Sequence, residues 1–286
     1  MDVRRLILFV VLSFSILFFW SSWQERHAPQ VAQQVEVNQP QPASIASANE
    51  KTFQLSSDKR VTVETDVFKA EIDTMGGDIR RIELLKHHAD YSNKEDLVLL
   101  DDRKSPLVYV AQSGLIGKDL PTHKTVFTAE TTSYQLKDNQ NEVVVTLNAE
   151  NAEGVKVTKT YTFTRGSYAV KVGFKIDNAS NAAIDPWIYY QIVHDSESNQ
   201  GSKMMPTFTG AAYFTDADKY KKVKFTEMAK EDLSKTSKDG WIGLVQHYFV
   251  SAWIPAAQQS REFYTSKLSD KVYAVGAKSA LGMIAP

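Results

Sequence analysis

The sequence predicts a mainly β protein, an antiparallel β-sandwich domain preceded by one transmembrane α-helix. An uncharged apolar run occupies residues 6–20, whereas from residue 53 onward short strand patterns follow one another with turn residues between them. In those patterns apolar and polar residues alternate with a period of two, which gives each strand one apolar face. Because dense strands without intervening helical patterns are typical of antiparallel sandwiches, this fold class is favoured.

The apolar run is long enough to cross a membrane. Counted to Trp23 it has about 18 residues, which as a helix measure roughly 27 Å, close to the ~30 Å hydrocarbon core of a bilayer. A cleaved signal peptide is the alternative, but the run ends in bulky aromatic residues and residues 21–29 contain no convincing A-x-A cleavage pattern. We therefore expect an uncleaved anchor over residues 1–23, whose apolar surface includes Leu6, Phe9, Leu12, Phe14, Leu17, Trp20 and Trp23.

The charges around this anchor predict its orientation. Arg4 and Arg5 precede the apolar run, and basic residues are enriched on the cytoplasmic side of membrane spans. The N-terminus is therefore expected in the cytoplasm of a bacterium, and everything after Trp23 in the periplasm. Residues 24–52, rich in Gln, Pro and Ala, are typical of a tether that cannot bury enough apolar surface to fold. Residues 53–286 then form the periplasmic domain.

Several strands can be placed within this domain from alternation alone. Val61–Thr65, Phe68–Ile72 and Ile79–Leu85 are expected strands, and residues 155–163 and 168–176 form a predicted hairpin around Arg165-Gly166-Ser167. Residues 142–147 are a further strand, which could pair with residues 133–136 across the turn 138–141. Gly76-Gly77 is expected to form a turn with positive φ.

Composition excludes several classes of function. The chain has 33 basic and 34 acidic residues, and this balance argues against a nucleic-acid binder, which needs clustered positive charge. Cysteine is absent, which excludes disulfides, thiolate chemistry and cysteine-based metal sites. No H-E-x-x-H, G-x-S-x-G or phosphate-loop pattern occurs, so the sequence predicts neither an enzyme nor a bound metal or cofactor.

Two clusters of polar residues remain as candidate sites. The segment 216–239 is rich in lysine, and we consider Lys219, Lys221, Lys222 and Lys224 as candidate contacts for a protein partner or anionic lipid. The favoured alternative is a solvated edge, where lysines discourage strand-to-strand aggregation. The second cluster, His194, Asp195 and Glu197, could serve a carbohydrate-binding or sugar-epimerase-like protein tethered to the membrane.

The most aromatic stretch of the chain is residues 240–255, GWIGLVQHYFVSAWIP. Its composition predicts one or two buried strands, with Trp241, Tyr248, Phe249 and Trp253 in the core. His247 is expected as a hydrogen-bonded core residue, and Pro255 is expected to end the strand pairing.

This stretch also resembles a signature of the YidC membrane protein insertase family. The residues that carry the resemblance here are Gly240, Trp241, Gln246, His247, Tyr248, Trp253 and Pro255, and the Gly76-Gly77-Asp78-Ile79 segment is similar to that family too. The order of anchor, Gln/Pro-rich tether and large periplasmic domain matches as well.

The resemblance implies a periplasmic β-super-sandwich and a function in inserting and folding inner-membrane proteins. Its implied partners are inner-membrane lipid, nascent membrane-protein clients and the Sec translocon with its accessory subunits, without nucleotide or metal. Family members continue into a five-helix membrane core that receives the substrate. Because this sequence ends at Pro286 without a second apolar span, we expect an N-terminal portion, truncated at its C-terminus and inactive as an insertase by itself.

Overall fold

The computed structural model describes residues 53–89, 95–104, 107–197 and 207–286. The expected anchor, its orienting residues Arg4 and Arg5, and the tether lie outside the described residues. In the ranges that are described, no helix is long and apolar enough to cross a membrane.

The described chain is almost entirely β, as the sequence predicts. Its strands are β1 (Arg60–Glu64), β2 (Phe68–Asp73), β3 (Asp78–His88), β4 (Asp96–Leu100), β5 (Tyr109–Ile116), β6 (Thr128–Ala129), β7 (Ser133–Gln135), β8 (Glu142–Glu150), β9 (Val155–Thr164), β10 (Val170–Asn178), β11 (Trp187–Asp195), β12 (Gly210–Thr215), β13 (Lys219–Val223), β14 (Ser234–Ser237), β15 (Trp241–Val245), β16 (Val250–Trp253), β17 (Arg261–Lys267) and β18 (Val272–Ala280). One short helix, α1 (Phe225–Met228), lies between β13 and β14.

Ten strands form one large sheet, in the order β14-β17-β18-β11-β5-β3-β2-β1-β7, with β4 paired to β3. Two four-stranded sheets, β10-β9-β8-β6 and β13-β12-β15-β16, lie on one face of it. Phe163 on β9 packs against Phe68 on β2, with ring centroids 5.7 Å apart, and Tyr213 on β12 lies 6.4 Å from Phe263 on β17. The expected antiparallel sandwich is thereby confirmed, with a second layer divided into two sheets.

The local predictions have mixed outcomes. The expected strands that became β1 to β3 are confirmed, as is the hairpin of β9 and β10, where Val170 lies opposite Phe163 and Gly166 has a φ of 69°. The pairing of residues 133–136 with β8 is wrong. Strand β7 instead runs parallel to β1, with Ser133 opposite Thr62, and the N–H of the buried Leu136 donates to the carbonyl of Glu64 at 2.9 Å. Burial of Leu136 against the edge of the large sheet therefore overrides the local turn.

A charged side chain, Lys159 on β9, lies fully buried between the two layers. Its Nζ donates hydrogen bonds to the backbone oxygens of Gly76 at 2.9 Å and Ser113 at 3.0 Å, and it lies 3.9 Å from Asp78 Oδ1. Because Ser113 and Asp78 belong to strands of the large sheet, this ammonium group ties the sheet containing β9 to the layer beneath it.

From Asp78 a chain of hydrogen bonds crosses the large sheet. Gln112 Nε2 donates to Asp78 Oδ2 at 2.8 Å, and Gln191 Nε2 donates to Gln112 Oε1 at 2.9 Å. The hydroxyl of Tyr264 donates to Gln191 Oε1 at 2.9 Å, and Arg80 Nη2 lies 3.4 Å from Asp78 Oδ2. Strands β3, β5, β11 and β17 thus share one buried polar network.

Burial shifts the ionisation of both charged groups at the centre of the network. Loss of solvent raises the pKa of Asp78 to about 6, against the opposing effect of Lys159 and Arg80. Loss of solvent also lowers the pKa of Lys159 to about 8, opposed by the charge of Asp78. Both groups are therefore ionised near neutral pH, and each depends on the other for compensation of its charge.

Replacing Lys159 by methionine should lower the free energy of unfolding by about 3–5 kcal/mol, because buried Asp78 keeps only Arg80 as a nearby cation and two carbonyls lose their donor. Urea unfolding followed by circular dichroism measures this effect. The control is Lys156→Met, at an exposed position of the same strand, which should stay within about 0.5 kcal/mol of the unsubstituted chain. Equal stability of the two variants would contradict the structural role of Lys159.

The raised pKa of Asp78 also predicts a pH dependence. Since the folded chain holds this proton to higher pH than the unfolded chain does, the contribution of Asp78 to the unfolding free energy falls as pH rises from about 4 to about 6. Relative to Asp78→Asn, the unsubstituted chain should lose roughly 2–3 kcal/mol across that window. Denaturant titrations at several pH values measure it, with Asp138→Asn in an exposed turn as control. If the unfolding free energies of the chain and of Asp78→Asn changed with pH in the same way, this prediction would be contradicted.

Candidate functional site

The candidate lysines come together on an edge strand. Lys219, Lys221 and Lys222 belong to β13, which pairs with β12 at the border of its sheet, and Lys224 immediately precedes helix α1. All four side chains are exposed. Among the described residues no salt bridge joins any of the four to a carboxylate, whereas nearby Lys235 pairs with Asp218 at 2.9 Å. The strand therefore presents positive charge to solvent on both of its faces, because the successive side chains of Lys221 and Lys222 point to opposite sides of the sheet.

Aromatic rings contact two of these lysines. The Nζ of Lys222 lies 4.7 Å from the centroid of the Phe208 ring, and that of Lys219 lies 5.9 Å from the Phe214 ring. Contacts of a cation with a ring face contribute about 0.5–1 kcal/mol at exposed sites and hold the ammonium groups in place. Tyr220, which is 47% exposed, lies 6.1 Å from the Trp241 ring.

A shallow groove of about 500 Å³ adjoins the lysine strand. Its lining combines two apolar side chains with an acidic rim, and consists of Val223, Glu227, Lys230, Glu231, Asp232, Leu233 and Ser234. Burial raises the pKa of Asp232. This end of the domain therefore carries both positive and negative side chains, as the composition of residues 216–239 indicates.

The aromatic stretch 240–255 forms the hairpin of β15 and β16, which confirms its strand content. Strand β16 ends at Trp253, so Pro255 follows the last paired residue as expected. The placement of His247 and Tyr248 in the core is wrong: both are exposed, Tyr248 by 80%, and their rings stack at 4.0 Å. They lie in the turn that follows the Val245–Val250 pair, closed by the Gln246 N–H donating to the Phe249 carbonyl at 2.8 Å, and therefore extend beyond the sheet.

At three glycines of the family-like segments, the backbone conformation favours glycine over other residues. Gly240 has a φ of +86°, and a Cβ there would lie 1.8 Å from the carbonyl oxygen of Phe214. Gly76 and Gly77 have φ values of +78° and +57°, which confirms the expected turn. The carbonyl of Gly77 accepts a hydrogen bond from the Tyr161 hydroxyl at 2.6 Å, next to the Lys159 bond to Gly76.

The candidate sugar residues do not converge on a cleft. Asp195 is buried, and its two oxygens accept hydrogen bonds from the N–H groups of Val108 at 3.0 Å and Glu197 at 2.9 Å. His194 is buried too; its Nδ1 contacts the carbonyl of Asp195, its Nε2 lies 3.4 Å from Gln246 Nε2, and burial lowers its pKa. Glu197 pairs with Lys271 at 2.6 Å. Their roles in this geometry are structural.

Nor do acidic residues and histidines gather elsewhere as a metal site. Within residues 53–89, 95–104, 107–197 and 207–286, no group of three or more such side chains could hold a metal ion. His88 lies 3.8 Å from the half-buried Asp96, and the described residues supply this pair with no third ligand.

Comparison with known proteins supports the resemblance seen in the sequence. The family described as the YidC periplasmic domain matches residues 60–286. The chain is 53% identical over 302 residues to the membrane protein insertase YidC of Methylobacillus flagellatus, a match covering 100% of this chain and 55% of that protein. Identity to YidC of Nitrosospira multiformis is 38% over 319 residues, covering 100% of this chain and 56% of the relative.

A solved galactose mutarotase related enzyme from Lactobacillus acidophilus is also similar, with 12% identity and a TM-score of 0.45 over 78% of this chain and 86% of that one. Likeness at that level carries no inference about activity. The sequence relatives instead define the class, bacterial membrane protein insertases with a periplasmic β domain. The chain belongs to the YidC family, and it spans about half the length of the curated relatives it matches.

Proposed function

We propose that this chain is the N-terminal anchor and periplasmic domain of a bacterial inner-membrane insertase. In that role it helps membrane-protein clients to insert and fold, alone or beside the Sec translocon. The observation that carries the proposal is the family match over residues 60–286 together with full-length coverage of this chain by insertases. The proposed layout is a helix over residues 1–23 with a cytoplasmic N-terminus, a tether over 24–52 and a periplasmic domain over 53–286.

Such a function requires no bond chemistry. An insertase lowers the cost of moving polar backbone and side chains into hydrocarbon, which amounts to several kcal/mol per unsatisfied group. The contribution of the periplasmic domain would be to hold or position partners. We accordingly propose a non-enzymatic role without nucleotide, metal or nucleic acid.

The lysine strand is the proposed docking surface for Sec accessory subunits. Lys219, Lys221 and Lys222 lie along one exposed edge strand, and Lys224 follows it before helix α1. A patch of one sign steers an oppositely charged partner and fixes its orientation. Because lysines on an edge also block unwanted strand pairing, docking is a second role for residues that already protect the fold.

Charge reversal tests the docking proposal. A Lys221→Glu/Lys222→Glu variant should lose most co-purification with Sec accessory subunits, since the attraction becomes repulsion while the edge stays charged and blocked. The control is Lys69→Glu/Lys137→Glu, which changes the net charge equally at exposed positions outside the lysine strand. Unchanged co-purification of the first variant would count against docking at β13.

A complementation assay tests the proposed division of labour. In cells depleted of their own insertase, residues 1–286 alone should not restore insertion, because the resemblance assigns the substrate path to a membrane core beyond the matched domain. The full-length relative from Methylobacillus flagellatus serves as positive control. Insertion supported by residues 1–286 alone would overturn the proposal that the chain acts as part of a longer insertase.

A further inference from the structure

The two small sheets of the second layer meet edge to edge above β11. In the described chain β10 pairs only with β9, and β16 pairs only with β15, so each has one side without a strand partner. The ring of Tyr190 on β11 lies 6.5 Å from Phe174 on β10 and 5.1 Å from Trp253 on β16. One aromatic ring therefore spans the distance between the two edges, and we call the gap between β10 and β16 the seam.

A second aromatic contact marks the other end of the seam. His87, at the end of β3, lies 5.8 Å from Tyr168, just before β10, and 5.8 Å from Phe249, just before β16. Because both strands begin at His87 and proceed toward Tyr190, they run in the same direction along the seam. An extended chain placed between them could be antiparallel to both.

Apolar side chains line the seam and are only partly covered. Val170, Val172 and Phe174 on β10 are half-buried, as is Trp253 on β16, although they point toward the large sheet. The corresponding residues of the neighbouring strands are fully buried, as Phe163 on β9 illustrates. The two edges thus leave apolar surface accessible that a further strand could cover.

The edges of the β16-containing sheet differ in chemistry. Its outer edge, β13, carries three lysines, whereas β16 has the sequence Val-Ser-Ala-Trp without any charge, and Val250 is 54% exposed. Natural proteins block open edges with charges, because unpaired backbone groups are templates for another strand. The uncharged edge at β16 is therefore suited to strand addition.

Strand β10, on the other side of the seam, carries exposed positive side chains. Lys171 and Lys175 on β10 are exposed, and their cross-strand neighbours Thr162 and Thr158 carry no charge. An added strand with acidic side chains on its solvent face would complement these two lysines, while a basic one would be repelled.

We propose that the seam binds an extended polypeptide segment in which apolar and acidic residues alternate. The segment adds as a β-strand between β16 and β10, with its apolar side chains against Tyr190 and its acidic side chains toward Lys171 and Lys175. This proposal rests on the proposed function in one respect: the natural occupant is a periplasmic segment of a membrane-protein client before that segment folds.

Fluorescence anisotropy of a labelled peptide tests the seam. The probe is a nine-residue peptide of alternating valine and glutamate, matching the 9 residues of β10, titrated with the whole 286-residue chain in detergent. Val250→Glu should weaken binding roughly tenfold, because it places at the open edge a charge that also repels the glutamates of the peptide. The matched control is Val144→Glu, a 40% exposed valine on β8 that does not border the seam, and it should bind like the unsubstituted chain.

Charge exchange gives an independent test of the orientation. Lys171→Glu/Lys175→Glu should weaken binding of the valine/glutamate peptide and strengthen binding of a valine/lysine peptide. A peptide with proline at alternate positions should fail to bind, because it lacks the backbone N–H donors. Thermal unfolding by circular dichroism verifies that each variant remains folded.

The outcomes separate the seam from the insertase function. Absence of binding by the unsubstituted chain, or equal loss in Val250→Glu and Val144→Glu, overturns the seam while the complementation assay still decides the insertase role. Peptide binding together with a full-length protein that inserts no clients supports the seam and removes the client as its occupant.

Discussion

The arrangement of this domain depends on one buried ammonium group. Lys159 projects from the small sheet containing β9 into the large sheet, where the carbonyls of Gly76 and Ser113 accept its hydrogen bonds. Ser113 lies within strand β5, whereas the carbonyl of Gly76 belongs to a turn that the positive φ values of Gly76 and Gly77 make possible. The glycine pair, Lys159 and Asp78 are therefore one structural unit that joins the layers.

The other small sheet is held by a second buried cation. Arg261, at the start of β17, is 2% exposed, and its guanidinium donates to the carbonyls of Ala256 at 2.6 Å, Lys238 at 2.9 Å and Pro255 at 3.3 Å. These carbonyls flank the β15–β16 hairpin, so the arginine fixes the loops at its base. Because each small sheet has its own tie to the layer beneath, the two need no hydrogen bonds to one another. The seam between them follows from that independence.

Alternation in the sequence predicted strands such as β9, in which one face is buried and the other is not. It did not predict β5, β11 and β18, because these strands are buried on both faces and lack an alternating pattern. The same alternation contained the signal for Lys159, which lies in phase with Val155, Val157 and Tyr161, but a lysine is ordinarily read as a mark of solvent. Tyr248 was misplaced because aromatic composition does not reveal where a turn begins. The parallel pairing of β7 with β1 joins residues about 70 positions apart, and no local pattern encodes such a contact.

The side chains at the sheet edges determine which edges of the domain can bind a partner strand. On β13 the lysines serve protection and attraction together, since any charge blocks strand pairing but only a positive one attracts an acidic partner. At the seam these tasks fall on different strands: β16 offers an open, uncharged edge, and β10 carries the lysines. A segment that enters there meets backbone groups on one side and positive charge on the other. The lysines of β10 can then select an acidic segment, while the uncharged edge of β16 stays open for hydrogen bonds to that segment.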